Sequence, residues 1–161
     1  LKKLKIYLDT SVINFLFADD TPDFKKITED FFKEYFGRYD IFVSDIVLLE
    51  INKTVDQEQK SRLLSVIDDY PFKILEIANN EAIGYLSELY IKEGVIPQKK
   101  KEDALHIAVA TVYEMDILLS WNFKHLANIK KQININAINE KEGYLKKLSL
   151  LSPLEVEYDD E

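Results

Sequence analysis

Five short apolar runs punctuate the chain, at 5–8, 41–44, 72–77, 117–120 and 133–137. They are rich in Ile, Val, Leu or Phe and alternate little, the pattern of strands buried on both faces. Between them the period lengthens to that of helices. After Pro22, "DFKKITEDFFKEYFG" sets Phe24, Ile27, Phe31, Phe32 and Phe36 near one stripe, and Gly37 is placed to stop it. Ser44 or Asp45 can cap "IVLLEINKTV", and another helix is predicted over about 57–68, before Pro71. Asn79 or Asn80 opens "EAIGYLSELYIKEG", closed by Gly94 and Pro97. "EDALHIAVATVYEM" follows, and "EKEGYLKKL" is predicted as a last helix after the fifth strand.

Strands alternating with helices predict a three-layer α/β/α sandwich around a central, mainly parallel five-stranded sheet. No repeat, low-complexity stretch or linker interrupts the order. One domain is expected over residues 1–150, with 151–161 as an acidic tail whose end, "EVEYDDE", is frayed. In such sheets ligands bind beyond the C-terminal strand ends, so residues there carry the candidate chemistry.

Asp9 ends the first run, in "KIYLDTSVIN", with Thr10, Ser11 and Asn14 directly behind it. Glu50 lies in "SDIVLLEINK", inside the helix after the second strand, and Asp103 in the first turn of "KEDALHIAVA". Ser120 and Asn122 follow the fourth run. If the first and fourth strands are neighbours, Asp9 shares a rim with Ser120 and Asn122, within reach of Glu50 and Asp103. Gathered carboxylates repel unless a cation sits between them. An all-oxygen set suits Mg²⁺ or Mn²⁺ better than Zn²⁺. Such an ion activates water and stabilises charge at phosphorus, which is the chemistry of phosphodiester hydrolysis.

Charge and composition change this picture only a little. The formal net charge of −8 over 161 residues argues, taken alone, against a nucleic-acid binder. That argument weakens when the acids line one cation-binding pocket. Lys99, Lys100 and Lys101, and Lys124, Lys130 and Lys131, form local basic patches, either solvated loops or approaches to a phosphate backbone. The chain has no cysteine, so thiol chemistry is absent and a reducing cytoplasm is expected. No apolar run is long enough to span a bilayer, and "LKKLKIYLD" has neither the apolar stretch nor the cleavage site of a signal peptide. No Gly-rich phosphate loop occurs among the 4 glycines. A phosphoacceptor receiver would need an Asp after the third strand, where the chain reads "LEIANN".

In order, "IYLDTSVIN", "VLLEI", "EDALHIAVA" and "DILLSWNFKHL" resemble the PIN domain family, in particular its VapC-like ribonuclease toxins, over nearly the whole chain. The resemblance implies an Mg²⁺- or Mn²⁺-dependent endoribonuclease cutting RNA, commonly a homodimer. It also implies an antitoxin partner whose tail covers the acidic cleft. Asp9, Glu50 and Asp103 match the family's three core acids and so inherit the catalytic and metal-binding roles. The fourth acidic position falls on Asn122, which can offer a carbonyl ligand or a hydrogen bond but no charge. A single ion is therefore expected, with Asn122 acting through water. Thr10, Ser11 and Ser120 are expected to brace the strand end, and Asn14 to support it or touch substrate.

Each assignment has a plainer counterpart. Asp9 and Asp103 suit helix N-termini in any protein, and a lone Glu50 is ordinarily solvated. Asp45 reads as a cap and Asp116 as a loop residue at the wrong end of the sheet. Packing roles are expected for His106 and His125, with His125 also able to touch substrate. Trp121 is either a base-stacking platform or an apolar plug. The alternative function is a PIN-like module that binds RNA or a protein tail without cleaving, a reading kept open by Asn122.

Overall fold

The computed structural model describes residues 2–123 and 125–157, the side chains of 125–127 and 157 excepted. Five strands, β1 (Lys5–Leu8), β2 (Asp40–Ser44), β3 (Lys73–Leu75), β4 (Ile117–Leu119) and β5 (Ser149–Leu151), form one sheet. Their order is β3-β2-β1-β4-β5, and every pairing is parallel. Among the described residues eight α-helices accompany them, besides two single 3₁₀ turns: α1 (Thr10–Asn14), α2 (Pro22–Glu34), α3 (Asp45–Asn52), α4 (Gln57–Asp69), α5 (Glu81–Lys92), α6 (Lys101–Val112), α7 (His125–Lys141) and α8 (Pro153–Glu157).

Strand residues divide between two apolar cores. Tyr7, Phe42, Leu118 and Leu150 face the layer built from α5, α6 and α7. Ile6, Leu8, Ile41, Val43 and Leu119 face the opposite layer, with α1, α2, α3 and α4. Both faces of β1, β2 and β4 are thus dry, which is why those runs read as continuous apolar sequence, whereas Ile74 of the edge strand β3 is 48% exposed. The expected α/β/α sandwich with a parallel sheet is what the chain adopts.

The fifth strand is not where the pattern put it. Residues 133–137 lie inside α7, and "EKEGYLKKL" supplies the end of α7 and the turn leading to β5. The buried face of α7 is largely polar, so its period is hidden from a hydrophobicity reading. Gln132 Oε1 accepts from Leu150 N at 2.7 Å, and Asn136 both donates to Leu148 O and accepts from Leu148 N at 2.9 Å. Asn128 Nδ2 donates to Leu150 O. These amides, spaced four apart, occupy the outer edge of β5 much as a sixth strand would. Ile133, the residue that made the run look apolar, is 63% exposed.

The tail expected from 151 is not loose over its first part. Leu151 belongs to β5, Val156 of α8 is buried against the α2 side, and Glu155 Oε1 accepts from Ser152 N at 3.3 Å and from Ser152 Oγ at 3.4 Å. Residues 158–161 of that tail, Lys124 and the His125 side chain lie outside the described residues.

The chain builds β1, β2 and β3 outward in one direction and then returns to place β4 on the other side of β1. The crevice at such a reversal, between the C-terminal ends of β1 and β4, is the natural ligand position of this architecture. Asp9 and Ser120 stand there.

Candidate active site

Leu8 pairs with Leu119, and Asp9 N donates to Leu119 O at 3.2 Å, so β1 and β4 end side by side. Asp9 then caps α1: its Oδ1 accepts from Ser11 N at 3.0 Å and from Ser11 Oγ at 2.5 Å. The Ser11 hydroxyl also accepts from Trp121 N at 2.9 Å and lies 3.3 Å from Ser120 Oγ. Ser120 Oγ in turn accepts from Asn122 N at 3.0 Å. The capping role and the site role of Asp9 are therefore the same arrangement. Two serines fix this carboxylate between two strands, and it is only 4% exposed.

Burial pushes the Asp9 carboxyl up from the ordinary value, and the charge of Asp103 adds to the rise; His106, Ser11 and Ser120 oppose it. Asp103 sits in the first turn of α6, partly buried, and His106 follows one turn later on the same helix. Glu50 reaches the site from α3, where His106 Nε2 donates to its Oε1 at 2.7 Å. Burial alone would raise Glu50, but the hydrogen bond and charge of His106 prevail and hold it below its usual range. For His106 burial acts downward, yet Glu50, Asp9 and Asp103 together hold the imidazole above its usual range. One buried histidine thus lies within electrostatic reach of all three acids.

Asp9, Ser11, Ser120, Glu50 and Asp103 converge on this region. Thr10 is buried above it, and its Oγ1 has no hydrogen bond of ordinary geometry, although the hydroxyl lies near enough to Glu50 to favour its charged form. Asn14 is exposed at the end of α1 and makes no capping bond. The Asn122 side chain is likewise exposed, and only its backbone enters the network. Asp116 accepts from Lys5 N at 2.8 Å and pairs with Lys146, at the far end of the strands. Asp45 accepts from Ile77 N while Ser44 caps α3.

Among the described residues no three Asp, Glu or His side chains lie together as a ready set of metal ligands. The donor chemistry nevertheless fits a hard cation. Mg²⁺ keeps most of its waters and takes one or two carboxylates. Asp9 and Asp103 offer two whose mutual repulsion such an ion would relieve. Glu50 Oε1 is already engaged by His106 Nε2.

One linkage escaped the sequence. His106 was expected to pack and Ser44 to cap α3, and Tyr7 was not singled out, yet Tyr7 Oη bonds His106 Nδ1 at 2.6 Å and Ser44 Oγ at 2.7 Å. A tyrosine within a strand dry on both faces was the available signal, because its hydroxyl needs a buried partner. Trp121 is anchored on the other side: its indole donates to Thr28 Oγ1 at 2.9 Å, and the ring packs on Phe15 and Phe24.

The family model described as the PIN domain matches residues 6–131. Among solved structures the chain is similar to a chain of VapBC2 from Rickettsia felis bound to a DNA fragment from their promoter. The two share 18% sequence identity and a TM-score of 0.57, over 92% of this chain and 98% of that chain. At that identity the likeness speaks for the fold. No curated protein matches.

Proposed function

Because the chain belongs to the PIN domain family, we propose that it is a cytoplasmic Mg²⁺- or Mn²⁺-dependent endoribonuclease, the toxin of a toxin–antitoxin pair. One observation carries the reading: a buried carboxylate, Asp9, stands at the C-terminal end of the central strand, in the crevice between β1 and β4 where this architecture takes its ligands, with Ser11 and Ser120 beside it.

Asp9 and Asp103 would hold the ion. The chemistry that ion supplies is a more acidic water and stabilised charge on the phosphorus under attack. Glu50, kept ionised by His106, would orient the attacking water and accept its proton. Ser11 and Ser120 keep Asp9 from swinging away. Lys99 and Lys100, in the turn that leads into α6, and Lys101, its first residue, border Asp103 and would offer cations to an RNA backbone despite the acidic net charge. An antitoxin as partner and a homodimer as working state belong to this proposal. The similar chain from Rickettsia felis belongs to a VapBC2 structure bound to a DNA fragment from their promoter.

A panel of structured RNAs with Mg²⁺ or Mn²⁺ tests it. Cleavage should appear with metal, vanish with EDTA, and fall at least about 100-fold in Asp9→Asn. Undiminished cleavage in that variant would remove the proposed chemistry. The second reading, a PIN-like binding module, is favoured by one observation: Asn122 brings no charge and points to solvent. Metal-independent RNA affinity without cleavage under Mn²⁺ is its signature.

A further inference from the structure

The three elements that carry the acids are tied by one buried hydrogen-bonded circuit. Ser44 Oγ accepts from Ile46 N at 3.2 Å and so begins α3, the helix that carries Glu50. The same hydroxyl bonds Tyr7 Oη at 2.7 Å, in β1, two residues before Asp9. Tyr7 Oη bonds His106 Nδ1 at 2.6 Å, in α6, one turn after Asp103. His106 Nε2 returns to Glu50 Oε1 at 2.7 Å, on α3 again. Ser44 and Tyr7 are fully buried, and His106 is 3% exposed.

We infer that His106 is a positioning residue: with both ring nitrogens engaged, it locks β1, α3 and α6 in register and thereby sets Asp9, Glu50 and Asp103 relative to one another. A histidine that merely filled space would need at most one partner and would not have to join the acid-bearing helix to the central strand. Here each nitrogen ends on a different element. Removing either bond lets the ring turn and frees Glu50 to swing toward solvent, while the apolar packing around it remains. Misplacement of about 1 Å in such a constellation costs roughly 100-fold in turnover.

The kinetic part rests on the nuclease reading; the structural part does not. His106→Phe keeps the ring and removes both nitrogens, His106→Gln restores one bond, and Tyr7→Phe cuts the far side of the circuit. In the full chain with Mn²⁺ and a cleaved RNA, His106→Phe should lower kcat by about 30- to 100-fold with KM within about twofold. His106→Gln should recover at least about fivefold, and Tyr7→Phe should fall between the two. Turnover of His106→Phe within twofold of the parent overturns the inference. The chain has 2 histidines, so ¹⁵N imidazole spectra are simple to assign. One ring N–H should resist exchange with water and should shift in both Tyr7→Phe and Glu50→Gln, whether or not any RNA is cut. A freely exchanging or unmoved resonance in those variants also overturns it. Absence of cleavage in the parent protein would instead count against the nuclease reading alone, and the spectra would still decide the role of His106.

Discussion

Asp9 does two jobs that pull in opposite directions. It caps α1 through Ser11, which favours a side-chain oxygen acceptor, and it is buried next to Asp103, which disfavours a charge. An Asn at the same position can still accept both Ser11 bonds through its carbonyl oxygen and carries no charge. A carboxyl whose folded-state value is raised binds its proton more tightly in the native state than in the unfolded chain. Ionised Asp9 therefore costs stability above that raised value, and the cost fades as pH falls through it. In EDTA at pH 7.5, Asp9→Asn should melt no lower than the parent, with a gain of about 2–4 °C for each kcal/mol relieved. Melting curves from pH 7.5 down to pH 4 should show that gap closing. A variant clearly less stable at pH 7.5 would mean that the carboxylate is there for the fold alone.

At the scale of elements, legibility followed side-chain chemistry. β1, β2 and β4 were readable because both their faces bury Ile, Leu, Val or Phe. α3, α4 and α6 were readable because caps or acidic first turns coincide with their starts. α7 was not, because its inward stripe is Asn128, Gln132, Ile135 and Asn139, and the isoleucines between them mimic a strand. The amides face inward because β5 is an edge strand whose backbone groups need partners. Asn136→Ala should then cost about 1–3 kcal/mol in urea or thermal unfolding, since Leu148 N and O lose their partner together. Asn136→Asp, which keeps only the acceptor, should lie between. An unchanged midpoint for Asn136→Ala would refute the edge-sealing role of α7.

For the molecule as a whole, the sheet order places the site. Asp9 and Ser120 were legible as strand-end residues, and the adjacency of β1 and β4 brings them together. The link through His106 was not legible, because it joins positions 7, 44, 50 and 106, and no spacing rule relates residues so far apart in sequence. No helix among the described residues is long and apolar enough to cross a membrane. A net charge of −8 favours cations around the molecule as a whole. Whether the crevice holds one is settled by Mn²⁺ titration of the parent chain, Asp9→Asn and Asp103→Asn, with free Mn²⁺ followed by its paramagnetic resonance. The account predicts one saturable site in the parent and at least about tenfold weaker binding in each variant. Equal Mn²⁺ affinity in all three proteins, or no saturable site in the parent, would contradict it.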